Sequence, residues 1–147
     1  MGHYGSNEHF LEDLACEHKN YAYLGQYEIS KLFNVLFTVG LHNFFQKSSF
    51  HNLKAVVLHP GIVDTNIASD FCLTKYVKCC FCCFFTNSEN GAQTNLHLSR
   101  IPFEEVKSGE YYHSDSTHRE MDKRGRNMEL VDKLWRISEE AYGIKFD

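Results

Sequence analysis

The chain has 147 residues, of which 43% are apolar and 14% aromatic, enough to bury the core of one ordinary domain. Its formal charge of −4 comes from 15 basic and 19 acidic residues spread along the chain, which argues against a nucleic-acid-binding protein. The longest apolar run, residues 79–85, is far shorter than the roughly 20 residues that span a bilayer, and no signal-peptide pattern is visible. We therefore expect a cytoplasmic protein.

The first predicted element is a long helix over about residues 23–45, because apolar and aromatic residues recur there three and four positions apart. The short aliphatic segment over about residues 53–59 predicts a buried strand. Pro60 and Gly61 break regular structure and end that strand. A segment rich in Cys and Phe, residues 66–86, follows.

The C-terminal part alternates helix and strand in the same way. Asn87 or Ser88 is the expected N-cap of a helix that ends near residue 99, and a short strand is predicted over residues 110–113. A charged loop over residues 114–126 then leads to a last helix, residues 128–142, which Gly143 caps.

The order helix, strand, helix, strand, helix indicates an α/β protein. No repeat or linker divides the sequence, so residues 1–147 are predicted to be one domain, or part of one. Two strands make a poor sheet. We therefore expect the chain to be one part of a larger α/β domain.

Tyr27 and Lys31 are the first candidate catalytic residues. Residues four apart share one face of a helix, so the ammonium of Lys31 can lie near the phenol of Tyr27. A neighbouring positive charge stabilises a phenolate, which makes tyrosine a usable acid or base. Because the chain is rich in tyrosine, the spacing by itself is weak evidence.

The surrounding motifs make the evidence much stronger. The Tyr27–Asn34 run is followed by a buried strand that ends in His59-Pro60-Gly61-Ile-Val-Asp-Thr65. This order resembles the short-chain dehydrogenase/reductase superfamily, and within it the branch that contains the retinol dehydrogenases. Further matches follow in the expected order: Gly91-Ala-Gln-Thr94, Ser108-Gly109-Glu-Tyr-Tyr112 and Leu134-Trp135.

The resemblance implies a fold and a set of site residues. The fold would be the C-terminal part of a doubly wound, Rossmann-like parallel sheet, without the N-terminal dinucleotide-binding half. Tyr27 would be the general acid and base and would also contact the cofactor, and Lys31 would assist it and bind the nicotinamide ribose of NAD or NADP. Four residues would complete the cofactor contacts: Pro60, Gly61, Val63 and Thr65.

Several parts of the family pattern are missing from the sequence, among them the Asn-x-Ala-Gly signature and an upstream active-site Asn. No Gly-rich turn of the form G-x-x-x-G-x-G or G-x-G-x-x-G is present, and no serine occupies the expected catalytic position before Tyr27. The predicted activity is oxidation or reduction of a lipophilic alcohol/carbonyl pair. The alternative is a non-catalytic remnant that acts as an interaction module and pairs with a partner chain through the long helix. Self-association through the helix over residues 23–45 is a separate expectation.

The Cys/Phe segment leaves three interpretations open. Five of the six cysteines lie within residues 72–83, a clustering that favours reduced thiols over a disulfide framework. In the family this region carries an apolar lid over the substrate. Alternatively, residues 71–85 form a peripheral membrane contact, with S-acylated cysteines. Zinc is disfavoured because the C-x-x-C pairs overlap, so no metal site is predicted.

Overall fold

The computed structural model describes residues 11, 23–64 and 85–145, which fall into two compact units. The first unit is drawn from Met1–Ala55 and Met121–Asp147, and the second is Val56–Glu120. The first contains helix α1 (Tyr23–Lys47) and helix α4 (Met128–Tyr142). The second contains the following elements: β1 (Val57–Leu58), α2 (Ser88–Gly91), α3 (Gln93–Arg100), a 3-10 turn (Phe103–Glu105), β2 (Tyr111–Tyr112) and β3 (His118–Arg119).

The core of the first unit lies between α1 and α4. Leu36 of α1 has no exposed surface, and it packs with Leu130, Val131 and Leu134 of α4. Burying aliphatic side chains of this size contributes about 1.5–3 kcal/mol each. The apolar periodicity of both helices therefore serves a shared interface. Leu11 and four partly buried residues complete it: Leu32, Phe33, Val39 and Ile137.

Close approach of the two helices depends on a glycine in the middle of α1. A Cβ atom at Gly40 would lie 2.7 Å from Cε3 of Trp135. The indole also stacks on Phe37 and Phe44, with ring centroids 5.6 and 6.0 Å away. Gly40 thus makes room for the one tryptophan of the chain against the aromatic face of α1.

Helix α4 has a side-chain cap at its start and a glycine cap at its end. Oδ1 of Asn127 accepts the N–H groups of Glu129 and Leu130 at 3.0 and 3.4 Å. Gly143 takes the left-handed conformation, with φ +66°, in which a side chain is strained. The observed helix coincides with the predicted residues 128–142.

Replacing Asn127 by Ala should lower the free energy of unfolding by about 1 kcal/mol, because two helix N–H groups lose their acceptor. Urea unfolding followed by circular dichroism measures the change. Asn127→Asp is the matched control, since its carboxylate accepts the same N–H groups and should keep the stability near that of the wild type. Equal stability of the Ala and Asp variants would show that the cap contributes nothing.

The second unit is built on a three-stranded mixed sheet in the order β1-β2-β3. Strands β1 and β2 are parallel, with Val57 opposite Tyr111, and β2 and β3 are antiparallel. The prediction of a loop over residues 114–126 was wrong for His118–Arg119, which form β3. Both residues of β3 are exposed, so the strand lacks the apolar alternation that would have revealed it.

Two other predicted elements differ in extent. Strand β1 is confined to Val57–Leu58, at the end of the predicted strand over residues 53–59. The single predicted helix after Asn87 is divided into α2 and α3 at Ala92. Oδ1 of Asn87 accepts the N–H of Asn90 at 2.8 Å, so this residue is the N-cap. The single-domain organisation stays a prediction.

The Cys/Phe segment lies outside the described residues except for its last two residues, Phe85 and Thr86. Within residues 23–64 and 85–145, no helix combines the length and the apolar character needed to cross a membrane.

Candidate active site

Tyr27 and Lys31 share the exposed face of α1 in the first unit. The Tyr27 side chain is 47% exposed, and Nζ of Lys31 lies 5.2 Å from the centroid of its ring. An ammonium at this distance is attracted by the ring's π-face. The helical spacing therefore brings the two predicted catalytic side chains together, and the phenol remains open to a ligand.

The serine between this pair bonds back to the helix itself. Oγ of Ser30 donates a hydrogen bond to the carbonyl oxygen of Tyr27 at 2.7 Å. Such a bond ties the serine to its own helix. The hydroxyl of Ser30 is therefore hydrogen-bonded to the backbone of α1.

The His59-Pro60-Gly61 turn follows β1 in the second unit. Gly61 has φ +84°, a conformation that a residue with a side chain adopts only with strain. Its N–H donates a hydrogen bond to Nδ1 of His59 at 2.9 Å. Pro60 has no N–H and restricts the backbone before the glycine. These three residues form a turn that is closed by the hydrogen bond to the His59 imidazole.

Val63 continues from this turn and pairs with Thr86. The N–H of Thr86 donates to the Ile62 carbonyl at 2.9 Å, and the N–H of Asp64 donates to the Thr86 carbonyl at 2.8 Å. In this parallel pattern the N–H and C=O of Val63 itself are turned away from Thr86. The Val63 side chain packs against α2, since a Cβ at Gly91 would lie 2.6 Å from its Cγ2.

A small polar cluster lies where β1 and β2 end. The rings of His59 and His113 have centroids 5.7 Å apart. Nδ1 of His113 lies 3.1 Å from Oγ of Ser114 and 3.9 Å from Oδ1 of Asp115. Partial burial of the ring, and secondly the charge of His113, lower the pKa of His59 from its ordinary value of 6.5.

The sequence prediction did not assign this cluster a role. The only sequence signal for His59 was its position before Pro-Gly. No sequence signal marked His113, because the residue beside it, His59, is far away along the chain. The backbone of the cluster is anchored by buried Thr94, whose Oγ1 donates to the His113 carbonyl at 3.1 Å.

The predicted site residues are distributed over both units. Tyr27 and Lys31 belong to the first unit, whereas Pro60, Gly61 and Val63 belong to the second. Thr65 lies outside the described residues. Among residues 11, 23–64 and 85–145, no three His, Cys, Asp or Glu side chains form a group that could hold a metal ion.

Known proteins with similar sequences share one family. The chain is 33% identical to mouse retinol dehydrogenase 12 over 129 residues, which are 88% of this chain and 40% of that protein. It is 35% identical to human retinol dehydrogenase 14 over 122 residues, 80% of this chain and 35% of that protein. The short-chain dehydrogenase/reductase drtF of Aspergillus calidoustus is 27% identical over 122 residues, 78% of this chain and 39% of that protein.

The chain thus spans about two fifths of the length of the curated relatives that it matches. No protein-family model and no solved structure matches it. The relatives carry the same family name that the ordered motifs around Tyr27 and Pro60 indicate. The chain belongs to the short-chain dehydrogenase/reductase superfamily, in its retinol dehydrogenase-like branch.

Proposed function

We propose that the protein containing this chain is an NAD(P)-dependent oxidoreductase acting on a lipophilic alcohol/carbonyl pair. The observation that carries the proposal is the pairing of Tyr27 and Lys31 on one exposed helix face, with Nζ 5.2 Å from the ring centroid. In a member of this superfamily, an accessible phenol beside an ammonium is suited to acid and base chemistry.

Tyr27 handles the proton in this scheme. In the reductive direction its hydroxyl donates a proton to the substrate's carbonyl oxygen, and in the oxidative direction the phenolate accepts the proton of the alcohol. Lys31 lies over the ring of Tyr27, and its ammonium can donate hydrogen bonds to ribose hydroxyls. A nicotinamide dinucleotide, when bound, supplies the hydride chemistry.

The second unit has backbone groups that suit the nicotinamide end of such a cofactor. Gly61 has no side chain that would keep a flat ring from its main chain, and Ser114 borders it on one side, with its Cβ 3.4 Å from a Cβ built at Gly61. The N–H and C=O of Val63, turned away from Thr86, form a donor and acceptor pair complementary to a carboxamide. These features support the predicted cofactor contacts.

A lipophilic substrate is supported by the names of the relatives, which are retinol dehydrogenases. The Cys/Phe segment over residues 66–86 would then be an apolar lid above the substrate. Attachment of the same segment to a membrane surface remains a further proposal, and it is compatible with a substrate drawn from the lipid phase.

The test is an assay of the protein expressed from its complete coding region. NADH or NADPH fluorescence is titrated first, and oxidation of the reduced cofactor is then followed at 340 nm with retinal, long-chain aldehydes and acetaldehyde. We expect saturable binding of one cofactor and turnover that favours the lipophilic aldehydes by at least about tenfold, since each buried methylene contributes about 0.8 kcal/mol. Cofactor binding without turnover of any carbonyl would instead support the non-catalytic alternative.

A further inference from the structure

His59 occupies a fixed position between the sheet and the Pro60–Gly61 turn. Its backbone N–H donates to the carbonyl of Tyr112 at 2.9 Å, which ties the residue to β2. Its side chain turns back, and Nδ1 accepts the N–H of Gly61 at 2.9 Å. The imidazole thus connects the end of β1 to the glycine that has φ +84°.

We propose that His59 is a positioning residue, whose neutral imidazole holds the Pro60–Gly61 turn in the conformation that presents the Val63 backbone to a cofactor. This inference rests on the proposed function for its link to the cofactor. The hydrogen bond to Gly61 carries it, because it ties the N–H of Gly61 to the side chain of His59.

The protonation state of His59 decides whether this bond can form. An imidazole nitrogen accepts a hydrogen bond only when it carries no proton, so the neutral ring must hold its proton on Nε2. Protonation would place an N–H on Nδ1, directly opposite the N–H of Gly61. Two donors facing each other repel, and the turn is then released.

The groups around His59 act on its charge in opposite directions. His113, whose ring centroid is 5.7 Å away, disfavours a positive charge on His59 when it is itself charged. Asp115 lies 3.9 Å from His113, where it offsets that charge. Ser114 contacts His113 through its hydroxyl and is the nearest side chain to a Cβ built at Gly61, at 3.4 Å. These three polar residues belong to the segment that directly follows β2.

The direction of the pKa shift sets the pH window. Partial burial and His113 lower the pKa of His59 below 6.5, so on acidification an unfolded chain takes up this proton before the folded one. The stability that depends on neutral His59 is complete above pH 6.5 and falls as the pH drops from there through the lowered pKa. The turn is therefore closed at neutral pH and opens in mild acid.

The test compares the wild type with two substitutions and a control. His59→Asn keeps an acceptor, since an asparagine oxygen can bond to the N–H two residues on, but it cannot titrate. His59→Phe removes the acceptor and keeps a flat ring. His97→Phe makes the same change at an exposed histidine of α3. The ¹⁵N–¹H signal of Gly61 and the NADPH dissociation constant are each measured between pH 7.5 and pH 5.

In the wild type, the Gly61 signal should titrate together with the His59 ring. The dissociation constant for NADPH should rise about fivefold on acidification, the factor that corresponds to one ordinary hydrogen bond. His59→Asn should keep tight binding and show a flat Gly61 profile, and His59→Phe should bind about fivefold more weakly at every pH. The His97→Phe variant should match the wild type.

Two outcomes would overturn the inference: a Gly61 signal that ignores the titration of His59, or identical pH profiles for wild type and His59→Asn. Failure of the proposed function has a different signature. In that case no variant binds NADPH or NADH, whereas the Gly61 signal of the wild type still follows His59 and that of His59→Asn stays flat. Such a result supports the hydrogen bond between His59 and the turn without a link to a cofactor.

Discussion

Replacing Tyr27 by Phe is expected to lower kcat/KM about 10²–10⁴-fold, the range that loss of a positioned general acid and base produces. The substitution removes a single oxygen atom. The ring that Lys31 covers at 5.2 Å is retained, and so is the helix, since the side chain is 47% exposed and lies outside the buried core. Loss of activity would therefore report on the hydroxyl and not on folding.

The matched control is Tyr142→Phe. Tyr142 is the last residue of α4, is 81% exposed and has no predicted role in the reaction. Its replacement by Phe removes the same hydroxyl from a tyrosine of the same unit. Steady-state rates with NADPH and a lipophilic aldehyde, together with the NADPH dissociation constant, are measured for both variants. We expect a large rate loss in Tyr27→Phe alone, well beyond any change in its cofactor affinity. If Tyr27→Phe kept a rate near that of the wild type, Tyr27 would not be the acid and base.

The sequence predicted the long helices well because their stability has a local signature. Apolar residues three and four apart predicted a helix over residues 23–45, and α1 covers Tyr23–Lys47. Gly143 was predicted to cap the end of α4 and does so, whereas the cap at its start, Asn127, was not predicted. The placement of Lys31 over Tyr27 follows from the same helical period, so this part of the site could also be derived from spacing.

The sheet was predicted less completely because its strands depend on partners far away in the sequence. His118 and Arg119 are polar and exposed, and only pairing with Tyr112 and Tyr111 makes them a strand. The segment before Val57 is aliphatic, yet the described pairing with β2 begins only at that residue. The pattern of apolar residues indicates which residues are buried, whereas the first and last residues of a strand depend on the strand with which it pairs.

The candidate site shows the same division between local and distant causes. The need for glycine at position 61 could be expected from the Pro-Gly turn, and φ +84° agrees with it. The hydrogen bond from Gly61 to His59 could not be expected from the sequence, since it depends on the rotamer of one imidazole. The neighbouring His113 arrives from β2, which no local pattern places beside β1.

The prediction with the largest effect on stability concerns Leu36. Its side chain has no exposed surface and packs in the cluster with Leu130, Val131 and Leu134. Replacing it by Ala should lower the free energy of unfolding by about 2–5 kcal/mol, from lost transfer energy and from the cavity left between α1 and α4. Ala is as good a helix former as Leu, so helix propensity does not contribute to the loss.

The control for Leu36→Ala is Leu36→Met, which nearly conserves volume and should cost less than about 1.5 kcal/mol. Leu96→Ala provides a second comparison, because Leu96 of α3 is 40% exposed and its truncation leaves no buried cavity. Urea unfolding should show a lower midpoint for Leu36→Ala at an unchanged slope, which indicates lost stability without a change in the unfolded state. Equal midpoints for the three variants would mean that the contact of α1 with α4 does not hold the first unit together.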